Sequence, residues 1–282
     1  MGVFLSKWRS KWKFSPIIRL FWVVSSLVIG SEFAKADVIL APHRAVYRLN
    51  LIENANHGIW ESVVGQMVYE LTGSPCEGYQ QQFRQMIILS NSEGGRKVID
   101  DFSSLNETSD GKKLDFFSKN IGKTDRIETI SGQALRSDDG ILVQYTSPRH
   151  SELHLPQQTS FPIAYTKALI TTALAGQTSL NLLQFDDTDP DAANQRTFAI
   201  IGAEKLENAD AELDLVHKTF GKQRRWPVTI GFGYDGQLSS DYSIFQELFE
   251  NGVAINLILD LNDFKLSGHL QTIIPLDQKK CN

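Results

Sequence analysis

Alternation of apolar and polar positions is the dominant pattern along most of the chain. Ala45, Tyr47, Leu49 and Leu51 share one face of their segment while Arg48 and Asn50 take the other, the period of two of a half-buried strand. The same habit predicts strands over 63–71, 79–89, 97–104, 113–119, 125–135 and 141–145. In the second half it predicts 180–185, 197–203, 212–217, 227–234, 241–249, 253–260 and 265–274. Strand starts fall roughly ten to fifteen residues apart, the spacing of antiparallel meanders joined by short hairpins. Asp138-Asp139-Gly140, Asp235-Gly236 and Glu250-Asn251-Gly252 read as turns, the last with the Asn-Gly pair that suits the positive φ angles of a tight primed turn.

One segment departs from alternation. Residues 162–175 carry a single charge, Lys167, with Ser160 as the expected N-cap, Pro162 in the first turn and Gly176 as the C-terminal stop. A helix apolar on nearly every side is a buried one. The pattern as a whole predicts a mostly β fold, a large curved sheet or open barrel of about fourteen strands around that one helix.

The amino terminus reads differently. Lys7, Arg9, Lys11, Lys13 and Arg19 precede an uncharged run from Leu20 to Gly30, and Ala34-Lys35-Ala36 offers small residues at a cleavage site. This is the organisation of a signal peptide spanning 1–36, cleaved after Ala36, and its apolar run is shorter than the roughly 20 residues that cross a bilayer. Export leaves a single β domain over 37–282 with 22 basic and 32 acidic side chains, net −10. That balance argues against nucleic acid or an anionic membrane surface as a partner. Both cysteines, Cys76 and Cys281, lie in the mature part. An even count in an exported chain favours a disulfide over a redox pair or metal site, since neither C-x-x-C nor a Cys/His cluster occurs.

Chemistry-bearing motifs are sparse, and no catalytic, cofactor-binding or metal residues are assigned. There is no G-x-S-x-G elbow, H-E-x-x-H or phosphate-binding glycine loop. His150 and His154 are four apart, but Pro148 and Pro156 flank them, so they are expected in a solvated loop. Asp187, Asp189 and Asp191 match the first ligand positions of a calcium loop, yet Ala192 stands where glycine is needed and Phe198 where a bidentate Glu is needed. A solvated acidic loop is the expectation there. Gln80-Gln81-Gln82 and Phe116, Phe117, Phe245 and Phe249 remain as candidates for binding. Adjacent Phe116 and Phe117 must point to opposite faces of their strand.

Several segments resemble a known family. Leu40-Ala-Pro-His-Arg-Ala-Val-Tyr47, Gly73-Ser-Pro-Cys-Glu-Gly-Tyr79, Arg225-Trp-Pro-Val-Thr-Ile230, Asn251-Gly-Val253 and Asp263-Phe-Lys-Leu-Ser-Gly268 are similar to the EipB-type cell-envelope integrity proteins of alphaproteobacteria, long catalogued as a domain of unknown function. Asp260-Leu-Asn-Asp-Phe264 departs in part from the family's usual Asp-Tyr-Gly-Asp-Phe. The resemblance implies a periplasmic antiparallel β-spiral, likened to lipoprotein carriers, with one internal disulfide carried onto Cys76 and Cys281. It also implies a non-enzymatic part in envelope integrity. Three functions follow as expectations. The first is binding or scaffolding of periplasmic envelope proteins, helical-repeat proteins among them. The second is carriage of a lipid or lipidated chain in the sheet's concavity, with the helix as a plug, and the third, ranked last, is an enzyme acting on envelope polymers.

Overall fold

The computed structural model describes residues 37–54, 60–122, 127–207, 209–233, 242–261 and 264–281. The leader and its cleavage site lie outside these residues, as do the Asp235-Gly236 turn and the strand starts expected at 125 and 241.

Fourteen strands form one sheet in which every neighbouring pair is antiparallel. One arm comprises β1 (His43–Asn54), β2 (Ser62–Ser74), β3 (Gly78–Ser90), β4 (Arg96–Glu107), β5 (Lys113–Ile121), β6 (Glu128–Ser137), β7 (Gly140–Ser147) and β8 (Ser151–Leu155). Helix α1 (Pro162–Leu174) then carries the chain to the far edge. The other arm returns through β9 (Ser179–Phe185), β10 (Asn194–Ile201), helix α2 (Ala211–Phe220), β11 (Arg225–Gly233), β12 (Tyr242–Phe249), β13 (Ala254–Asp260) and β14 (Phe264–Pro275). The strand order is β8-β7-β6-β5-β4-β3-β2-β1-β14-β13-β12-β11-β10-β9, so the first and last strands meet at the centre.

The sheet is open, because β8 and β9 do not pair. Ser160 bridges to β9: its N–H donates to Leu183 O at 2.7 Å and its carbonyl accepts from Phe185 N at 2.9 Å. Aromatic packing supports this near-closure. Phe116 of β5 lies 5.2 Å from Phe185 of β9 between ring centroids, and Phe185 lies 6.4 Å from Phe161. Phe161 and Phe185 are buried, each worth about 1.5–3 kcal/mol in apolar burial.

The inward face of the sheet is the core, and three apolar clusters line it. One gathers α1 with β10 to β12; the second gathers α2 with β1 to β3 and β12 to β14; the third gathers β4 to β8 with Phe161 and Phe185. Helix α1 ends as expected at Gly176, where φ is 69°, and Gly176 and Gln177 donate back to Ala173 O and Thr172 O. That pair of bonds satisfies carbonyls the helix end would otherwise leave open.

Four expectations are corrected. Residues 212–217 belong to helix α2 rather than a strand, so there are two helices among the described residues. Asp210 caps α2 by accepting from Glu212 N and Leu213 N at 2.8 and 3.3 Å, and Leu213 and Val216 bury one face. Ser151–Leu155, read as loop, is the edge strand β8. The N-cap of α1 is Phe161, without a side-chain cap of its own. Finally, the turn after β12 takes positive φ only at Gly252 (87°), with Gly252 N donating to Phe249 O at 2.9 Å. This is a turn followed by a left-handed glycine, one residue longer than the primed two-residue form.

Candidate functional site

Helix α1 occupies the inner side of the sheet, and its entrance is held by charge. The four leading N–H groups of a helix lack internal partners. Here Glu107, at the end of β4, accepts from Ile163 N and Ala164 N at 3.0 and 3.2 Å, one bond to each carboxylate oxygen. Burial pushes the Glu107 carboxyl up to about 7, against those bonds and the nearby Lys167 and Arg136 charges, which favour the ionised form. Arg136 of β6 donates to Gln157 O and, at 2.8 Å, to Thr159 O, and lies 4.7 Å over the Phe161 ring. Two remote side chains thus fix where α1 begins.

Two small spaces lie near α1 among the described residues. One, of about 160 Å³, lies among His43, Tyr47, Tyr69, Phe83 and Thr166. A second, of about 240 Å³, lies among Gln81, Gln184, Asp187, Gln195 and Tyr242. Both fall below the roughly 300–1,000 Å³ of pockets that enclose a drug-sized ligand.

The outward face is different. Register places Val64 of β2 opposite Ile88 of β3, and Ile88 opposite Val98 of β4. The three form an apolar row with Met86 beside it. Val64, Met86 and Val98 remain 48%, 39% and 43% exposed. Val64, Met86 and Ile88 line a groove of about 550 Å³ whose polar rim includes Arg48 and Arg84. Arg84 grips Asp100 with two bonds, at 3.0 and 2.8 Å. Toward β5 the apolar surface continues through Phe102 and Phe117, 6.1 Å apart. Past it the outward face turns polar. Gln133, Gln144 and Glu152 form a cross-strand ladder with both bonds at 2.9 Å, beside a groove of about 670 Å³.

The candidates from sequence divide between these faces. Phe116 is buried, whereas Phe117 is 38% exposed on the outward face. Gln81 faces inward and accepts from the Tyr69 hydroxyl at 3.3 Å. Phe249 is core and Phe245 half-buried. His150 and His154 are exposed, with His154 on β8 rather than in a loop. The acidic run is not simply solvated: Asp187 is only 8% exposed, and burial, then the neighbouring Asp186 charge, push its carboxyl up to about 7. Asp186 accepts from Thr188 and Gln195, and Asp189 accepts from Asp191 N at 2.9 Å to cap a short 3₁₀ turn. Among the described residues no group of three His, Cys, Asp or Glu side chains gathers at metal-holding distance.

Cys76 and Cys281 form a disulfide with Cα atoms 5.8 Å apart. It anchors a tail that runs back over the start of β1. Leu276 N donates to Pro42 O at 3.0 Å, Gln278 Nε2 to Leu40 O at 3.4 Å, and Lys279 pairs with Glu77 at 2.8 Å. The groups that sequence reasoning missed are Glu107, Arg136 and the Val64–Ile88–Val98 row, all of which depend on strand register.

Comparison with known proteins completes the picture. Residues 34–277 match the family model of EipB-like proteins. The chain is 30% identical over 244 residues to the cell envelope integrity protein EipB of Brucella abortus (strain 2308), covering 86% of both chains. A crystal structure of a β-barrel-like protein of domain of unknown function DUF1849 from Brucella abortus is similar at a TM-score of 0.78 and 31% identity, over 84% of this chain and 99% of that one. The chain belongs to the EipB-like family.

Proposed function

We propose that this chain is a periplasmic, non-enzymatic protein that supports cell-envelope integrity by binding other envelope proteins, helical-repeat proteins included. The carrying observation is the apolar row Val64–Ile88–Val98 with Met86 on the outward face of β2 to β4, where Val64, Met86 and Val98 are exposed and Ile88 is half-buried. Contiguous apolar surface rimmed by polar groups marks a protein contact more often than a passive surface. The name of the Brucella relative and the basic, small-residue-terminated leader over 1–36 support the compartment. A photo-crosslinking residue at Met86 in the intact envelope tests the reading. A discrete protein adduct, lost when Val64 and Val98 are both changed to Asp, is the expected result. Adducts to nothing specific, or unchanged by the charged pair, reject it.

The alternative, a carrier of a lipid or lipidated polypeptide, draws on one feature: α1 is apolar on most sides and fills the concavity where such cargo would sit. The two inner spaces among the described residues, about 160 and 240 Å³, are too small for such cargo while α1 is seated, so carriage through them calls for its displacement. Native mass spectrometry after gentle extraction distinguishes the two. An apolar adduct supports carriage, and an empty protein from its own membrane-containing lysate rejects it.

A further inference from the structure

We infer that the inner cleft between β3, β9 and the β11–β12 pair is a binding site for a neutral, hydroxyl-bearing sugar ring. Its lining combines amides and carboxylates with aromatic faces: Gln81, Gln184, Gln195, Asp187, Phe232 and Tyr242. Phe232 and Tyr242 stack at 4.5 Å with their planes 8° apart, so each ring holds the other and the pair offers the cleft an outer ring face as its apolar wall. Gln195, 5% exposed, is fixed at both ends of its amide: Nε2 donates to Asp186, and Oε1 accepts from the Tyr242 hydroxyl at 3.3 Å. The wall and the amide are therefore set before any ligand arrives.

Two acceptors in the same lining have no hydrogen-bond partner: Asp187 Oδ2 and Gln184 Oε1. A buried polar atom left unpaired costs about 1–3 kcal/mol, and two in one cleft favour a ligand that brings donors. Burial, then the neighbouring Asp186 charge, raise the Asp187 carboxyl. Among the described residues no Lys, Arg or His lines the cleft, so an anionic ligand would meet carboxylates without a counter-charge from them. The space, about 240 Å³, is on the order of eight waters' share of liquid volume at ~30 Å³ each. That suits one ring rather than a chain of them. Hydroxyls supply the donors that Asp187 and Gln184 lack, and the C–H face of a ring lies against an aromatic wall.

The cleft is on the inward face and the apolar row on the outward one, so either assignment can fail without the other. Calorimetric titration of the full chain with glucose, N-acetylglucosamine, glucosamine and glucuronate tests the site. The expected result is saturable binding of a neutral sugar with a Kd in the roughly millimolar range and no binding of glucuronate. Asp187→Ala should weaken it at least tenfold. Gln184→Leu, which removes an unpaired polar atom and should fold normally, should weaken it several-fold with thermal melting unchanged or raised. Three results overturn the inference: no saturable binding of either neutral sugar, glucuronate binding as well as glucose, or binding that survives both substitutions. Binding of glucosamine alone also overturns it, because the recognised group would then be an ammonium.

Discussion

Arg225 and Glu247 form the most deeply buried ion pair described, with side chains 2% and 5% exposed and 2.9 Å between Nε and Oε2. Burial alone would raise the Glu247 carboxyl, but hydrogen bonds from Lys205 and Arg225 together hold it below its ordinary value. Lys205 reaches Oε1 at 2.6 Å, Asn256 reaches it at 3.2 Å, and Arg225 also donates to Leu206 O at 3.0 Å. Breaking such a pair from one side strands a buried charge. Glu247→Leu is therefore expected to cost about 3–5 kcal/mol in urea unfolding, while Arg225→Met with Glu247→Leu recovers much of the loss. A double variant no better than the single would show that the pair is not the source. Glu107 gives a residue-scale prediction in pH. Its folded pKa of about 7 lies above the ordinary 4.5, so between those values the folded state holds a proton the unfolded chain has released. Its contribution is fully present below about pH 4.5 and is lost as pH rises through about 7, on the order of 3 kcal/mol in all. Asp187, shifted upward from 3.8 to about 7, acts with the same sign. Urea unfolding at pH 5 and pH 8 should show Glu107→Gln with a smaller pH difference than the parent; an unchanged difference rejects Glu107 as a source.

At the scale of elements, the two helices are docked by the same device, a carboxylate that satisfies backbone N–H groups belonging to another element. Glu107 does this from β4 for α1. Glu212 does it from α2 for the sheet: its Oε2 accepts from Asn256 N at 3.1 Å and Leu270 N at 2.9 Å, and its Oε1 lies 3.0 Å from His269 Nδ1. The described β13–β14 ladder runs from Leu257 opposite Gly268 to Asp260 opposite Lys265, so Glu212 enters where the two strands part. Asn256 there has φ of 52°, beside an irregularity in the β12–β13 ladder. Glu212→Ala should leave two buried N–H groups open, costing about 2–4 kcal/mol. Hydrogen exchange should speed up in β13 and β14 near Asn256 and Leu270 before it does in β5 to β7. Uniform acceleration across the sheet would reject this docking role. None of it is legible in sequence, since Glu212 and Leu270, 58 positions apart, meet only once the chain has folded. Alternation did mark most strands, because one buried face forces a period of two. It misread 212–217, where Leu213 and Leu215 alternate but Asp210 and the Leu213–Val216 spacing make a helix. It missed β8, whose five residues between Pro148 and Pro156 are too short and polar to show a period.

At the scale of the sheet, the chain leaves from β1, crosses by α1 and comes home at β14 beside its starting strand. The longest excursion in sequence is thus closed by hydrogen bonds from His43 opposite Pro275 to Asn54 opposite Phe264. The Cys76–Cys281 bond, 205 residues apart in sequence, adds a covalent closure to one the native sheet already makes. Its benefit must then lie mainly in the unfolded chain, whose freedom it restricts by about 5 kcal/mol as an upper figure. A local effect is expected too, because beyond β14 the tail is held, among the described residues, by the Leu276, Gln278 and Lys279 contacts and the disulfide itself. Surface ion pairs such as Lys279–Glu77 contribute little alone, about 0–1 kcal/mol. Cys281→Ser should therefore lower the melting temperature clearly under oxidising conditions and shed protection from exchange after Pro275. Under reductant, parent and variant should melt alike, because both then lack the closure. Equal melting in oxidant would mean that pairing of β1 with β14 already limits the unfolded chain, and that the disulfide serves only to hold down the tail.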